Sequence, residues 1–365
     1  MEVGDPKTIL IRLPNWVGDA VMSTPALRAL RRRYPNSRVI AVGRSPIGRL
    51  LAGAAFFDEF RAFARPSRLV PRIGATWDFT RQLRALAADW FILLPHSFSS
   101  ALVAFLSRPR EIIGYSTLER GFMLTRKVRA PTRRLSRVPE PMTLHYLRLL
   151  EAVDVHDRDE RMELLIQPEE EQRSDRVLAA LGVKDGEPFV AANPGASFGA
   201  SKLWTVEGFA ELIRGLHDRF QLRTLVLCGP GEESIARRIA ERAGRGAVDS
   251  SSLILPLELL KPVLRRSLLL VTTDTGPRHI AAALSTPQVV LMGPTDPRYS
   301  STNLERTVVL RAEVECSPCH LKICPIDHRC MTRLGPDQVL AALRPLLRER
   351  DRLPKVKDHA QAHHP

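Results

Sequence analysis

Short apolar runs and amphipathic segments follow one another in a regular order along the first part of the chain. An apolar run from Thr8 to Leu13 is interrupted by Arg12, and apolar residues then recur at a helical spacing between Ala20 and Arg33. A second apolar run covers Arg38 to Val42. Strand, helix and strand in this order predict a βαβ unit, from which open parallel sheets are built.

The same order returns in the second half of the chain. A charged, irregular segment at 154–174 separates the halves, and the apolar run from Phe189 to Ala192 then begins a new series of strands and helices. We therefore predict an α/β fold with two doubly wound, Rossmann-like domains that face each other across a cleft. The predicted parts are an N-terminal domain at 1–170, a C-terminal domain at 171–350 and a disordered tail at 351–365.

The stretch from Leu268 to Pro297 reads as strand, Gly-containing loop, helix, strand and a second Gly-containing loop. Pro277 lies near the start of the helix, where the N–H that proline lacks would have no helical partner. The helix N-terminus directs unpaired N–H groups and its positive dipole end toward the end of the first strand. Thr275 and Gly276 are therefore candidates for binding a phosphate through their backbone, although ordinary βα turns share this pattern.

Several polar residues near these loops allow two interpretations each. Asp274 either accepts hydrogen bonds from sugar hydroxyls or caps the helix that follows it, and His279 either donates to a phosphate or packs in the core. Glu232 and Glu233 follow a Gly-Pro-Gly turn, where they either bind ribose hydroxyls or begin a solvated helix. Neither GxxxxGK[ST] nor a GxGxxG after a strand is present, which argues against a P-loop ATPase and against an NAD-binding domain.

Composition is that of a soluble globular protein, with 44% hydrophobic and 26% charged residues. No uncharged apolar run approaches the length of about 18 residues that a spanning helix needs. The N-terminus has acidic residues before a strand-like run and does not resemble a signal peptide. We expect a cytoplasmic protein.

The net charge of +14 is concentrated in the first part of the chain. Residues 1–150 contain 25 Lys and Arg against 10 Asp and Glu, a net charge of +15. This asymmetry indicates an anionic partner, for which nucleic acid, an anionic membrane and a phosphorylated substrate all qualify; an Arg-rich proteome is the alternative. The basic run from Arg120 to Arg137 contains no acidic residue and, by itself, indicates a solvated face.

Four of the five cysteines are close in sequence, with the spacing C-x2-C-x4-C-x5-C. This spacing differs from the paired CxxC of a zinc ribbon. Free thiols that brace an irregular loop are the favoured interpretation, and a structural zinc ion is the less favoured one. The four cysteines are Cys316, Cys319, Cys324 and Cys330.

Three segments together resemble glycosyltransferase family 9, the lipopolysaccharide heptosyltransferases, and the likeness is greatest to the type II members. They read NWVGDAVMSTPALRALRRRYP from Asn15, NPGASFGASKLWTVEGFAEL from Asn193, and TDTGPRHIAAALSTPQVVLMGPTDP from Thr273. The resemblance implies a GT-B fold with an acceptor domain followed by a nucleotide-sugar domain. It also implies an inverting transfer from ADP-heptose to an inner-core lipopolysaccharide acceptor without a metal ion or other cofactor.

The resemblance assigns roles to two residues whose other interpretations are a helix cap and a solvated lysine. Asp19 matches the base that the family is proposed to use, and Lys202 matches a lysine that offsets the charge of the departing ADP. On the acceptor side, Ser97, Arg120 and His145 are candidates from their place in the basic half. The sequence departs from many relatives at Pro277-Arg278, and the cysteine segment occurs in only part of the family.

The predicted partners are an ADP-sugar donor, an anionic lipopolysaccharide precursor and the anionic inner membrane, with no nucleic acid. Peripheral docking of the acceptor domain would bring its basic residues to the leaflet. The alternatives are a transferase of the same fold with another nucleotide sugar, and a basic nucleic-acid-binding protein with a cysteine knuckle. The residues predicted to dock are Arg126, Lys127, Arg129, Arg133 and Arg134.

Overall fold

A computed structural model of the chain describes residues 5–63, 69–130, 132–133 and 136–350. The predicted disordered tail and Arg134 lie outside these residues. The described part of the chain contains two six-stranded parallel sheets, each covered by helices, and a short antiparallel pair. The α/β, doubly wound architecture predicted from the sequence is confirmed.

The first sheet collects the strands of the N-terminal half. Its strands are β1 (Thr8–Arg12), β2 (Arg38–Gly43), β3 (Glu59–Ala62), β4 (Trp90–Leu93), β5 (Glu111–Tyr115) and β6 (Arg126–Val128). They pair in parallel in the order β3-β2-β1-β4-β5-β6, with Ile9 opposite both Val39 and Trp90. The short pair β7 (Thr132–Arg133) and β8 (Ser136–Arg137) follows.

Helices cover both faces of this sheet because its central strand is apolar on both sides. Ile9, Leu10 and Ile11 are all fully buried, Leu10 in one core cluster and its two neighbours in another. The helices of this half are α1 (Val17–Met22), α2 (Thr24–Arg33), α3 (Ser45–Leu50), α4 (Leu69–Arg84), α5 (Phe98–Ser107) and α6 (Met142–Leu150).

The second half repeats the arrangement. Its strands are β9 (Phe189–Asn193), β10 (Arg223–Val226), β11 (Ala247–Asp249), β12 (Leu270–Thr273), β13 (Gln288–Leu291) and β14 (Thr307–Leu310), in the order β11-β10-β9-β12-β13-β14. Its helices are α7 (Pro168–Ala180), α8 (Val206–Phe220), α9 (Glu233–Ala243), α10 (Leu257–Arg266), α11 (Gly276–Ala283), α12 (Arg329–Thr332) and α13 (Pro336–Arg350).

Two details differ from the sequence prediction. The helix predicted from Ala20 to Arg33 is two helices that meet at Ser23, whose hydroxyl donates to the Ala20 carbonyl. The boundary predicted at 170/171 falls inside α7, and Glu170 of α7 forms a buried ion pair of 2.9 Å with Lys261 of α10. Because α7 packs on α10, we propose that the C-terminal domain begins at the start of α7.

Candidate active site

The two halves contact each other through two helices, each of which follows a central strand of its sheet. Helix α1 follows β1, helix α11 follows β12, and the N-terminal ends of the two helices are in contact. A Cβ atom at Gly18 would lie 2.7 Å from Cδ2 of His279, and one at Gly276 would lie 2.7 Å from Cβ of Val17. Glycine at both positions therefore permits an approach that any side chain would block.

Asp19 lies in the first turn of α1, at this contact. The cap residue of α1 is Trp16, and no side chain caps the helix, so the alternative role of Asp19 as a helix cap is wrong. Within the described ranges, no group donates a hydrogen bond to its carboxylate. Burial raises the pKa of Asp19 to about 6, the charge of Lys202 works in the opposite direction, and the charge of Asp274 raises it further.

Lys202 reaches the same place from the opposite domain. It ends a short 3-10 turn, Ala200–Lys202, in the loop after β9, and it is buried. Its Nζ donates to the backbone carbonyl of Asp274 at 2.7 Å and to the Asp274 carboxylate at 2.8 Å, and it lies 4.9 Å from the centre of the Phe198 ring. Lys202 is therefore a buried, fixed cation and not a solvated surface lysine.

Asp274 holds three donors at once. Its carboxylate accepts from Lys202, from Nη1 of Arg278 at 2.7 Å, and from the hydroxyl of Thr295 at 2.6 Å. Although burial acts to raise the pKa of Asp274, the charges of Arg278 and Lys202 overcome it and hold the pKa well below its usual range. The cap of α11 is Thr275, so the prediction that Asp274 caps this helix is wrong. Three protein donors already take up most of the acceptor capacity of this carboxylate, and its contact with a sugar hydroxyl stays a prediction.

His279 and Thr275 are packed against neighbours in the same region. His279 is buried against Gly18, and burial, together with the charge of Arg278, lowers its pKa to about 3, so that the ring is neutral at physiological pH. The hydroxyl of Thr275 accepts from Nδ2 of Asn193 at 3.1 Å. At the start of α11, Pro277 has no N–H and the Arg278 N–H donates to the Thr275 carbonyl at 3.3 Å, so the N–H groups of Thr275 and Gly276 are the ones that could bind a ligand.

The two glutamates after the Gly-Pro-Gly turn have different environments. The Glu232 carboxylate accepts from the N–H of Gly229 at 2.9 Å and occupies the space where a Cβ atom of Gly195 would lie. It therefore joins two loops of the second sheet. Glu233 begins α9 and is half-buried, and its own N–H and that of Gly231 lower its pKa. Its role toward a ribose stays a prediction.

Two of the three acceptor-side candidates are buried structural groups. Arg120 is fully buried and donates to the carbonyls of Tyr115, at 2.8 and 3.0 Å, and Pro95, at 2.7 Å. His145 is fully buried, 2.8 Å from Glu140 and 3.0 Å from the ring of His96. Direct contact of either side chain with an acceptor is therefore a wrong prediction, because neither reaches the surface.

Ser97, the third candidate, caps α5, where its hydroxyl accepts from the N–H of Ser100 at 3.3 Å. It lines a cavity of about 470 Å³ in the first domain.

The sequence analysis did not predict three residues of the site on the second domain: Asn193, Arg278 and Thr295. Arg278 could have been found from its i, i+4 spacing to Asp274, but nothing in the sequence brings Thr295 to the same carboxylate.

The four clustered cysteines lie next to the Lys202 loop. The N–H of Ser201 donates to the Lys322 carbonyl at 3.0 Å, and the N–H of Cys319 donates to the Pro294 carbonyl at 3.0 Å, so the cysteine segment bridges two loops of the site. All four are free thiols, and in the described part of the chain no group of three or more His, Cys, Asp or Glu is arranged to hold a metal ion.

No helix among the described residues is long and apolar enough to cross a membrane.

Comparisons with known proteins show where this arrangement recurs. The family model for glycosyltransferase family 9 (heptosyltransferase) matches residues 76–329. Lipooligosaccharide heptosyltransferase 2 of Campylobacter jejuni (serotype O:6) is 24% identical over 352 residues, which are 93% of this chain and 98% of that protein. The structure of a family 9 glycosyl transferase from Veillonella parvula has a TM-score of 0.80 at 21% identity, covering 96% of this chain and 99% of that one. The structure of E. coli ADP-heptose lps heptosyltransferase II has a TM-score of 0.77 at 23% identity, covering 94% and 99%.

Proposed function

The chain belongs to glycosyltransferase family 9, and from this membership we propose that it transfers heptose from ADP-heptose to an inner-core lipopolysaccharide acceptor, in the manner of a type II heptosyltransferase. It is a glycosyltransferase with the two facing domains of the GT-B fold. The relatives named lipooligosaccharide heptosyltransferase 2 and ADP-heptose lps heptosyltransferase II support this choice of donor and acceptor.

One observation carries the proposal. Asp19 of the first domain lies on α1, where this helix contacts α11 of the second domain. The ion pairs of Asp274 with Lys202 and Arg278 lie at the start of α11, and the charges of Lys202 and Asp274 both act on the pKa of Asp19. An inverting transfer needs these two groups on opposite sides of one cleft. The acceptor hydroxyl must lose a proton on one side of the sugar, and the diphosphate must leave on the other.

Asp19 supplies the base. With a pKa of about 6 it is mostly ionised at neutral pH, yet it is a stronger base than an ordinary aspartate. Its carboxylate takes the proton of the acceptor hydroxyl as the oxygen attacks the anomeric carbon of the heptose. The bond from that carbon to the diphosphate oxygen breaks, and ADP leaves with the electron pair.

The second domain stabilises the charge that develops on ADP. Lys202 and Arg278 are two cations around one carboxylate, Asp274, which leaves a net positive charge beside the N-terminus of α11. Backbone N–H groups at Thr275 and Gly276 would donate to the phosphate oxygens. Asp274 thus has a positioning role, because its carboxylate fixes the Lys202 ammonium group in this place.

A donor screen tests the proposal. Purified protein is incubated with ADP-heptose, with GDP- and UDP-sugars and with truncated lipopolysaccharide acceptors, and the products are identified by mass spectrometry. We expect transfer of one heptose from the ADP donor. Transfer from a GDP- or UDP-sugar alone would contradict the choice of donor. Thermal stabilisation by an oligonucleotide and not by ADP would instead favour the nucleic-acid-binding alternative.

The proposal includes peripheral docking to the inner membrane. Lys127 and Arg129 are exposed, and so are Leu118 and Phe122 of the segment that precedes them, so cationic and apolar groups close in sequence are both available to a membrane surface. Arg126 is an exception among the residues predicted to dock. It is paired with Glu111, and its Nη1 donates to the Ala152 carbonyl at 2.9 Å, so it contributes to the fold.

A further inference from the structure

The cysteine segment, residues 316–330, runs over the surface of the second domain and ends in α12. Within the described chain, no helix or strand lies between Leu310 and Arg329, so hydrogen bonds to neighbouring loops decide how this segment is held. Apolar contacts hold it less, because Leu321, Ile323 and Ile326 are all exposed and the only buried residue of the segment is Cys330. The segment therefore contributes little to the core of the domain.

One group of hydrogen bonds ties the segment to Ser201, the residue before Lys202. The Ser201 N–H donates to the Lys322 carbonyl at 3.0 Å, and its hydroxyl donates to the Leu321 carbonyl at 2.5 Å. The Ser201 carbonyl can only accept, and it accepts from Nε2 of His328 at 2.6 Å. All three polar groups of Ser201 are thus bonded to the segment.

A second group of hydrogen bonds ties the segment to the turn before Thr295. The N–H groups of Cys319 and His320 both donate to the Pro294 carbonyl, at 3.0 and 2.8 Å. Since proline has no N–H, this carbonyl is the only hydrogen-bonding group of Pro294. The segment therefore holds the residue before Thr295 as firmly as it holds the residue before Lys202.

Lys202 and Thr295 donate to the same oxygen atom. Oδ2 of Asp274 accepts from Nζ of Lys202 at 2.8 Å and from the hydroxyl of Thr295 at 2.6 Å. The loops that carry these two donors follow β9 and β13, which do not pair with each other because β12 lies between them. One surface segment therefore links two loops that the sheet leaves apart, next to the two groups that meet at Asp274.

We propose that the cysteine segment positions Lys202 for the diphosphate of the donor, and that His328 is the positioning residue. The inference rests on the proposed function, since it takes Lys202 to pair with the departing ADP. His328 acts through the carbonyl of Ser201. Without this hydrogen bond the turn Ala200–Lys202 is held less firmly, and the ammonium group spends less time beside Asp274. A cation that is already in place stabilises the charge on a leaving group better than one that must first be ordered.

The test compares two replacements of His328 in the full chain. His328→Phe keeps a planar ring and removes the donor, whereas His328→Gln keeps an N–H donor at the end of the side chain. The backbone of His328 is left-handed, with a φ of +60°, and both replacements bear the same cost there. We expect His328→Phe to weaken ADP binding by about 3- to 10-fold in calorimetry, the effect of one neutral hydrogen bond, and His328→Gln to restore most of the affinity. His156→Phe is the matched control, because His156 is an exposed histidine between α6 and α7.

Two further measurements show whether His328 acts through Lys202. In a Lys202→Ala background, His328→Phe should no longer change ADP affinity, because the cation that it positions is absent. The rate of acetylation of Lys202, followed by peptide mass spectrometry, needs no ligand. Lys202 is buried and bonded to Asp274, so we expect slow acetylation in the wild type and acetylation several times faster in His328→Phe. In transfer assays kcat should fall with ADP affinity, while the acceptor KM stays at its wild-type value.

Ser201→Ala is a second variant, which removes only the hydroxyl that donates to the Leu321 carbonyl. It should also weaken ADP binding and speed the acetylation of Lys202, so the test does not depend on the folding of His328→Phe. Unchanged ADP affinity and acetylation in both variants would overturn the positioning role, as would an equal loss in His328→Phe and His328→Gln, or an undiminished effect of His328→Phe without Lys202. Absence of ADP binding by the wild type, with acetylation that still depends on His328, would instead contradict the proposed function and leave the positioning role standing.

Discussion

Replacing Asp19 by asparagine should greatly slow catalysis and stabilise the protein at the same time. The substitution keeps the shape of the side chain and removes its negative charge. We expect turnover to fall by about 10²- to 10⁴-fold, the range for loss of a general base. A helix cap or a packing residue would give no such loss, and here no side chain caps α1.

The gain in stability follows from the raised pKa. Burial and Asp274 move the pKa of Asp19 from 3.8 to about 6, so the folded state favours the protonated form. The charge of Asp19 therefore costs stability, and this cost grows as the pH rises from 3.8 to 6 and is then constant. At neutral pH the cost is on the order of 2 kcal/mol, at about 1.4 kcal/mol per pKa unit and with allowance for partial exposure. The asparagine variant should unfold a few degrees above the wild type.

The test measures melting temperatures at pH 5 and pH 8, together with initial rates of heptose transfer at the same two pH values. The melting temperatures of wild type and Asp19→Asn should differ more at pH 8 than at pH 5. The rate of the wild type should fall about tenfold per pH unit below 6. Asp78→Asn is the control, because Asp78 is an exposed aspartate on α4. Near-normal turnover in Asp19→Asn, or a lower melting temperature at pH 8, would refute the reasoning.

Three further predictions concern the second domain, the contact between the domains and the surface. Lys202→Ala should weaken ADP binding by roughly 10- to 150-fold in calorimetry and should also slow transfer, since a charge-assisted hydrogen bond is lost. Unchanged affinity and rate would show that Lys202 has only a structural role. Gly276→Ala should lower the free energy of unfolding by about 1–3 kcal/mol, because its Cβ would lie 2.7 Å from Val17. Gly74→Ala, which meets nothing within 4 Å, is the control in the same melts. Vesicle co-sedimentation should require anionic lipid and fall steeply with salt, and Lys127→Glu with Arg129→Glu should abolish it; equal binding to neutral vesicles would contradict docking.

The fold could be predicted because its signals are local. A strand such as β1, buried on both faces, must be apolar along its whole length, and its sequence shows this directly. Helix α4 was harder, because Pro71 and Gly74 lie in its first turns and the visible pattern begins only at Trp77. Proline is tolerated in a first turn, so the helix starts earlier than the pattern indicates.

The position of the candidate site was predictable where local backbone geometry decides it and was missed where the contacting residues are distant in sequence; the binding roles of its residues stay predictions. A Gly loop before a helix places Thr275 and Gly276 without help from the rest of the chain. Thr295 contacts Asp274 only because β12 and β13 are neighbours in the sheet, which brings their two loops together. Arg120 was misread for a related reason. A guanidinium in a basic run looks solvated, and the carbonyl groups that surround it belong to other loops.

The net charge that the sequence gives for the first domain is larger than the charge on its surface. Of its excess of basic residues, Arg12 and Arg120 are buried and Arg28 is paired inside the fold, so none of them belongs to the surface. Further arginines are neutralised by carboxylates at short range, as with Arg31 and Asp58 at 2.7 Å. The net charge of +15 therefore divides into a smaller surface excess, which the proposed docking would use, and an interior excess that is held within the fold. Salt should weaken the first and leave the second largely unchanged, because buried charges are screened much less than exposed ones. If raising the salt concentration released the protein from anionic vesicles but left its melting temperature unchanged, the surface excess would serve docking and the interior excess would serve the fold.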